Sequence, residues 1–261
     1  MIPVARACPL PWFCYEGPVR PARNLVVLTG AGISRESGLH TFRDADGVWA
    51  QVRIEDVATP EAFAADPERV HAFYNSRRRQ LLSLDIQPNA AHRALSRLEA
   101  AWPGDFLLVT QNIDDLHERS GSRKLVHMHG ELLKVRCDAC RGIAEWRTDL
   151  GSGAACPICG ERGRLRPRVV WFGEVPLELD RIFDAVGACD LFVAIGTSGQ
   201  VQPAAGLVSE AARNGAQTVE LNLESSSGTS LFDRHAFGPA TRIVPEFVDR
   251  LLDSLKGGET V

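Results

Sequence analysis

The 261-residue sequence predicts an α/β fold: a doubly wound, parallel sheet of Rossmann type with a smaller inserted cysteine-bearing module and a helical insertion. Three observations predict it. Four short apolar, β-branched runs recur along the chain with helical stretches between them. The first run leads directly into a glycine-rich turn, and four of the seven cysteines form two close pairs in a segment that breaks the strand-and-helix rhythm. At about 150 residues per domain, the length allows one large domain carrying an insertion.

Residues 1–22 hold Pro3, Pro9, Pro11 and Pro18 and read as an irregular arm, with no apolar core of a secretory signal. The sheet domain is expected over 23–133 and 169–261. Its first strand, 24–29, ends in Gly30-Ala31-Gly32 and reads as buried and parallel. An interruption of about 38–88, with aromatic and helical segments, is longer than an ordinary strand-to-helix loop. A helix over 90–101 and a strand over 105–110 follow. Residues 134–168 are rich in Gly, Arg and Cys and lack helical periodicity, so they read as the inserted module. Strands at 190–195 and 218–222 flank a helix over 204–214 that Gly215 would cap.

Composition narrows the function. With 44% hydrophobic and 24% charged residues the chain is neither disordered nor collagen-like, and no run approaches the about 18 apolar residues of a membrane span. The net charge is −4, and Arg supplies 26 of 29 basic residues, leaving Lys124, Lys134 and Lys256. That balance argues against nucleic-acid binding. Cys8, Cys14 and Cys189 are an odd remainder, which together with the missing signal points to the cytoplasm.

Cys137-x2-Cys140 and Cys156-x2-Cys159, fifteen residues apart, can supply four thiolates to one structural zinc ion, since so short a segment has little core of its own. All four positions would be filled, leaving none for catalytic water; a redox Cys-x-x-Cys is the rival. Gly30-Ala31-Gly32-Ile33-Ser34 can bring backbone N–H groups to a phosphate. A dehydrogenase fingerprint needs a glycine at Arg35, so hydride transfer loses ground. In Thr41-Phe42-Arg43-Asp44, Arg43 can neutralise pyrophosphate and Phe42 can shield a ring. Gln111-Asn112-Ile113-Asp114 lies at the ligand-bearing edge of the sheet, where its groups could hold ribose hydroxyls or a carboxamide, or merely cap a helix. In His127-Met128-His129-Gly130 either histidine could be a base, because both point the same way on a strand, and Gly130 would leave room for substrate.

In chain order these pieces resemble the sirtuins, the NAD-dependent protein-lysine deacylases. The resemblance runs from Asn24 to Pro245 and includes Glu36-Ser37-Gly38, Val169-Val170-Trp171-Phe172-Gly173-Glu174 and Gly196-Thr197-Ser198. It implies NAD as co-substrate, one structural zinc, and acylated protein lysines as partners, with no nucleic acid or membrane. It implies that His129 is the general base and that Asn112 and Asp114, with Gln111 and Ile113, hold the nicotinamide ribose and carboxamide. Gly30, Ala31, Gly32, Ile33, Ser34, Phe42, Arg43 and Trp49 would serve the rest of the nicotinamide and phosphate half. Gly196, Thr197, Ser198, Asn222, Leu223, Glu224 and Ala240 would line the adenosine half. Nicotinamide would leave and O-acyl-ADP-ribose form, which explains why the third glycine is dispensable.

Substrate backbone would lie as an added strand between Phe172-Gly173-Glu174, next to Val170, and Gly199–Val201. Tyr74 and Arg77 stand three apart on one face of a predicted helix and match the Tyr-x-x-Arg pair of class III sirtuins, which remove succinyl, malonyl and glutaryl groups. On residue type alone, Tyr74 could equally be core and Arg77-Arg78-Arg79 solvated. Desuccinylation alongside deacetylation is therefore expected, with Gln202 and His40 departing from the family pattern. A mono-ADP-ribosyltransferase and a non-catalytic NAD or ADP-ribose sensor are the alternatives.

Overall fold

The computed structural model describes residues 22–39 and 53–257. The expected arm up to residue 21 with Cys8 and Cys14, and the stretch carrying His40, Phe42, Arg43 and Trp49, lie outside the described residues. In chain order the elements are β1 (Leu25–Thr29), α1 (Gly32–Arg35), α2 (Pro60–Ala65), α3 (Pro67–Leu81), α4 (Ala90–Ala101), β2 (Phe106–Thr110), α5 (Leu116–Arg119) and β3 (Leu125–His127). There follow β4 (Gly130–Cys137), β5 (Ile143–Glu145), β6 (Leu165–Val169), α6 (Leu179–Gly187), β7 (Leu191–Ile195), α7 (Leu207–Arg213), β8 (Gln217–Asn222), β9 (Arg234–Phe237) and α8 (Ala240–Gly257).

Six strands form a parallel sheet in the order β3-β2-β1-β7-β8-β9. All five residues of β1 are buried, as a strand covered on both faces requires. Side chains alternate: Leu25 and Val27 join the core under α4 and α8, while Val26 and Leu28 join the core under α6 and α7. The predicted strands are all present, each beginning within a residue of its expected start. The predicted helix 204–214 divides, its first turn at Ala204–Gly206 being 3-10, and Gly215 stands beyond its end at φ +86. Two strands of this sheet were not expected, β3 with only three residues and the edge strand β9, and neither were the three strands of the second sheet.

Pro follows an N-capping side chain at the start of both helices in the long interruption. Thr59 accepts from Ala62 N–H ahead of α2, and Asp66 accepts from Arg69 N–H ahead of α3. α3 contributes Val70, Phe73, Tyr74 and Leu81 to a third core cluster with Leu132, Leu133 and Trp171. The second sheet, β5-β4-β6, is antiparallel and begins at Gly130, where β4 pairs with Val169 of β6. Among the described residues no helix is long and apolar enough to cross a membrane.

Candidate active site

The chain winds away from β1 in both directions, to β2 on one side and β7 on the other, so a topological switch point falls at their carboxyl ends. The register is flush there: Thr29 lies opposite both Thr110 and Ile195. Gly30, Gln111 and Gly196 therefore leave the sheet at one level. The glycines let the two turns touch, since a side chain on Gly32 would stand 2.7 Å from Gly196 Cα and one on Gly30 2.7 Å from Gly196 O. Gly32 N–H instead donates to Gly196 O at 2.9 Å.

A cavity of about 1080 Å³ opens on this edge. It is lined by Gly30, Ala31, Gly32 and Ser34 of the first turn, by Gln111, Asn112, Ile113 and Asp114 after β2, and by His129. Gly196, Thr197, Ser198, Asn222, Leu223, Glu224 and Ala240 line it toward α8, and Tyr74, Arg77, Val170, Phe172, Gly173, Glu174 and Val201 line it elsewhere. Ile33 is set apart: it is fully buried in the core beneath the turn. Phe42, Arg43 and Trp49 lie outside the described residues.

Beside β2 the polar groups form one network. Asn112 Nδ2 donates to Gly30 O at 3.2 Å and to Ser34 Oγ at 3.1 Å, and Ser34 Oγ–H donates to Asp114 Oδ2 at 3.0 Å. Leu116 N–H donates to Asp114 Oδ1 at 3.1 Å, although the N-cap of α5 is Asp115, which makes no side-chain cap bond. Burial raises the Asp114 pKa against these bonds. His92 lies behind Ser34, 3.4 Å from Oγ; burial lowers its pKa to about 3, and Asn89 N–H donates to its Nδ1, so a neutral ring presents Nε2–H. The Gln111 Nε2 amide is buried and finds no partner among the described residues.

The two histidines do not share a strand, since β3 ends at His127 and His129 lies in the turn beyond it, but each takes a successive carbonyl of the neighbouring loop. His127 Nδ1 lies 3.0 Å from Asn112 O, and His129 Nδ1 lies 3.0 Å from Gln111 O. His127 Nε2 is spent on Glu118 at 2.7 Å; burial opposes its charge, but the Glu118 carboxylate and the carbonyl win and its pKa is raised. His129 has no such carboxylate, and burial lowers its pKa. Gly130 serves the fold rather than opening room for substrate, since a Cβ there would lie 2.1 Å from Arg168 O, across the β4–β6 pair.

Tyr74 is buried in the third core cluster, as the plain alternative has it, and also lines the cavity; Arg77, one turn on, is half-buried in the same wall, so of the three arginines only Arg79 is exposed. Arg78 is buried as well, at 1% exposure. Trp171, which the sequence reading passed over between Val170 and Phe172, donates its indole N–H to Tyr74 Oη at 2.9 Å. Both oxygens of Glu174 are engaged by Arg166, at 2.7 and 2.8 Å. Nothing in the spacing of β6 marked Arg166.

In the smaller sheet, Cys137, Cys140, Cys156 and Cys159 bring their Sγ atoms within 4.8 Å of one another. The separations Cys137–Cys159 of 3.8 Å and Cys140–Cys156 of 3.9 Å match the edge of about 3.8 Å expected for thiolates at about 2.3 Å from a tetrahedral zinc. Gly142 N–H and Ile158 N–H turn toward Cys140 and Cys156 Sγ at 3.4 Å. The donor set fits structural zinc.

A doubly wound nucleotide-binding sheet with a four-cysteine zinc module on its flank defines a class, the zinc-bearing Rossmann-type proteins with their cavity at the switch point. Residues 30–203 match the Sir2 family, and the chain belongs to that family. It is 57% identical over 235 residues to an NAD-dependent protein deacylase of Escherichia coli, covering 90% of this chain and 84% of that one. It is 58% identical over 230 residues to one of Shewanella oneidensis, covering 88% and 95%. Among solved structures, a Sir2 homolog–NAD complex superposes with TM-score 0.81 at 40% identity, covering 90% of this chain and 91% of that one. A Sir2 homologue mutant with ADP-ribose gives 0.82, also at 40%, covering 90% and 94%.

Proposed function

We propose that this chain is an NAD-dependent protein deacylase that removes both acetyl and acidic acyl groups, succinyl and malonyl, from lysine side chains. One observation carries the acyl preference: Tyr74 and Arg77 come together in the wall of the cavity that also holds His129. The orphaned Gln111 amide, the paired glycine turns and the size of the cavity fit NAD. When bound, NAD supplies a ribose C1′ whose bond to nicotinamide can break and which takes up the acyl group.

The chain's own groups do the rest in this reading. Gly30–Ser34 and Arg43 serve the phosphates, and Phe42 and Trp49 are assigned to the same half of NAD; Asn222, Leu223, Glu224 and Ala240 border the adenosine. Gln111, Asn112 and Asp114 hold the ribose and carboxamide. His129 Nδ1–H is held on Gln111 O, which keeps the lone pair on Nε2, and a lowered pKa keeps the ring neutral near pH 7. That nitrogen accepts a ribose hydroxyl proton. The substrate backbone lies as a strand along Phe172–Glu174 and Gly199–Val201, read through main chain. Residues 134–168 act as a zinc-stapled module inserted in the sheet domain of 23–133 and 169–261, in a cytoplasmic protein whose ligating thiols stay reduced.

The test is nicotinamide release from NAD with acetyl-lysine and succinyl-lysine peptides, followed by mass spectrometry of peptide and protein. Arg77→Met is expected to lower desuccinylation by about 30-fold or more, as removal of one partner of a desolvated charge pair should, and deacetylation far less. Equal losses would misplace the acidic-acyl pocket; ADP-ribose appearing on protein in place of acyl removal would favour a transferase.

A further inference from the structure

Trp171 lies two residues beyond β6 and meets Tyr74 of α3, the helix that carries the acyl wall. Its indole N–H can only donate, so the Tyr74 hydroxyl oxygen accepts at 2.9 Å. Trp171 is the one hydrogen-bond partner of that hydroxyl among the described residues. A phenol has a single hydrogen, and with the indole donor occupying one side of the oxygen that hydrogen turns to the other. Tyr74 and Arg77 both line the cavity, the space into which that hydrogen is inferred to turn. Burial raises the phenol pKa, which keeps the hydrogen in place.

We propose that Trp171 is a positioning residue that fixes Tyr74 as a hydrogen-bond donor at the acyl end of the cavity, and thereby sets the preference for acyl groups ending in a carboxylate. This rests on the acidic-acyl reading of Tyr74 and Arg77 given above. A carboxylate there accepts from phenol and guanidinium together. The methyl of an acetyl group accepts from neither, so the same O–H is left facing an apolar group.

Trp171 is itself held from three directions. The Arg166 guanidinium lies over its ring at 3.4 Å from the centroid, and Phe63 packs at 5.2 Å. Arg166 is buried and fixed by its two bonds to Glu174 and by Nη2 donating to Val169 O at 2.9 Å. Glu174 Oε2 also accepts from Trp171 N–H at 2.9 Å, closing the loop of contacts around the indole. A cation over the indole face draws electron density from the ring and strengthens the N–H donor, so the chain Glu174, Arg166, Trp171, Tyr74 polarises in one direction. Next to Trp171, Val170 N–H donates to His129 O at 2.9 Å, so a loss of packing alone would harm every acyl substrate alike.

The experiment measures kcat and KM with matched succinyl-lysine and acetyl-lysine peptides for wild type, Trp171→Phe, Tyr74→Phe and the double variant. A protein carrying 3-benzothienylalanine at position 171 loses only the N–H and keeps the ring's shape, which covers poor folding of Trp171→Phe. Expected is a five- to tenfold fall in the succinyl-to-acetyl ratio of kcat/KM for both replacements, on the order of one lost hydrogen bond and carried by KM for the succinyl peptide. In the Tyr74→Phe background the same replacements should leave that ratio where Tyr74→Phe puts it. An unchanged ratio with both activities falling together would overturn the proposal, as would a shift that persists without the Tyr74 hydroxyl. If wild type shows no desuccinylation, or Arg77→Met lowers both activities alike, the acidic-acyl reading itself falls, on measurements that do not involve Trp171.

Discussion

Asn75 faces away from the acyl wall formed by its neighbours Tyr74 and Arg77, and its replacement by Ala should be among the most damaging changes outside the cavity. Its side-chain amide pairs with Leu150 of the zinc module as one strand residue pairs with another. Nδ2 donates to Leu150 O at 3.0 Å, and Oδ1 accepts from Leu150 N–H at 2.8 Å and from Arg78 Nη1 at 2.7 Å. Asn75 is 8% exposed, and Leu150 and Arg78 are each 1% exposed. Asn75→Ala therefore strands a donor, an acceptor and part of a guanidinium where little water reaches. At about 1–3 kcal/mol for each group left unsatisfied, and some relief from water entering the vacated volume, the loss is roughly 3–6 kcal/mol. For a chain of this size that is a fall in Tm on the order of 10 °C. Asn75→Asp keeps both acceptor contacts and gains a charge beside Arg78, but sets an oxygen against Leu150 O where the donor was; the Arg78 pair offsets that repulsion, so it should fall between Ala and wild type. Thermal denaturation of the three zinc-loaded proteins is the assay. A fall of less than about 3 °C for Ala, or Asp melting below Ala, would show that this amide does not hold the module to α3.

Three further outcomes follow from the site. In a pH profile of kcat/KM, the acid limb should lie below the ordinary histidine value of 6.5, rising with pH as His129 loses its proton and level above; a limb above 6.5 would contradict the lowered pKa. The purified protein should carry one zinc per chain by elemental analysis, and Cys156→Ser should lower the metal content and Tm together, because a five-residue core cluster cannot hold the module alone. Gly32→Ala drives a methyl to 2.7 Å from Gly196 Cα, separating the β1 and β7 turns; KM for NAD should rise at least about tenfold by initial-rate measurement, and an unchanged KM would show that the turns can part at no cost to binding.

Much of the sheet was legible because its strands are buried on both faces and so are written as unbroken apolar runs, and the four cysteines because zinc fixes their spacing. What stayed hidden depends on long-range partners. Arg78 belongs to a run of three arginines that reads as solvated, yet it is buried because Asn75 and Leu150 come together 75 residues apart in sequence. Arg166 looks like any charged residue of a short edge strand until Glu174 folds back across it and Trp171 slides under it. Gly130 invited a ligand-facing role, and only the antiparallel pairing with Arg168 and Val169 shows that a backbone occupies its missing side chain.

The choice between His127 and His129 shows why two residues of equal pattern differ in chemistry. His127 ends β3 and His129 lies in the turn that follows, yet both use Nδ1 on consecutive carbonyls of the loop after β2, so their near contacts look alike. The difference comes from α5. Its Glu118 reaches His127 Nε2, which leaves that ring doubly bonded and favours its charged form, with no lone pair to offer. Among the described residues no carboxylate meets His129, which lines the cavity with Nδ1 on Gln111 O and whose pKa burial lowers. His127 in turn braces the Asn112 carbonyl while Asn112's own amide spans Gly30 and Ser34. A charged histidine that cannot act as a base thus holds in place the loop against which the neutral one is oriented, and the acid at position 118 decides which is which.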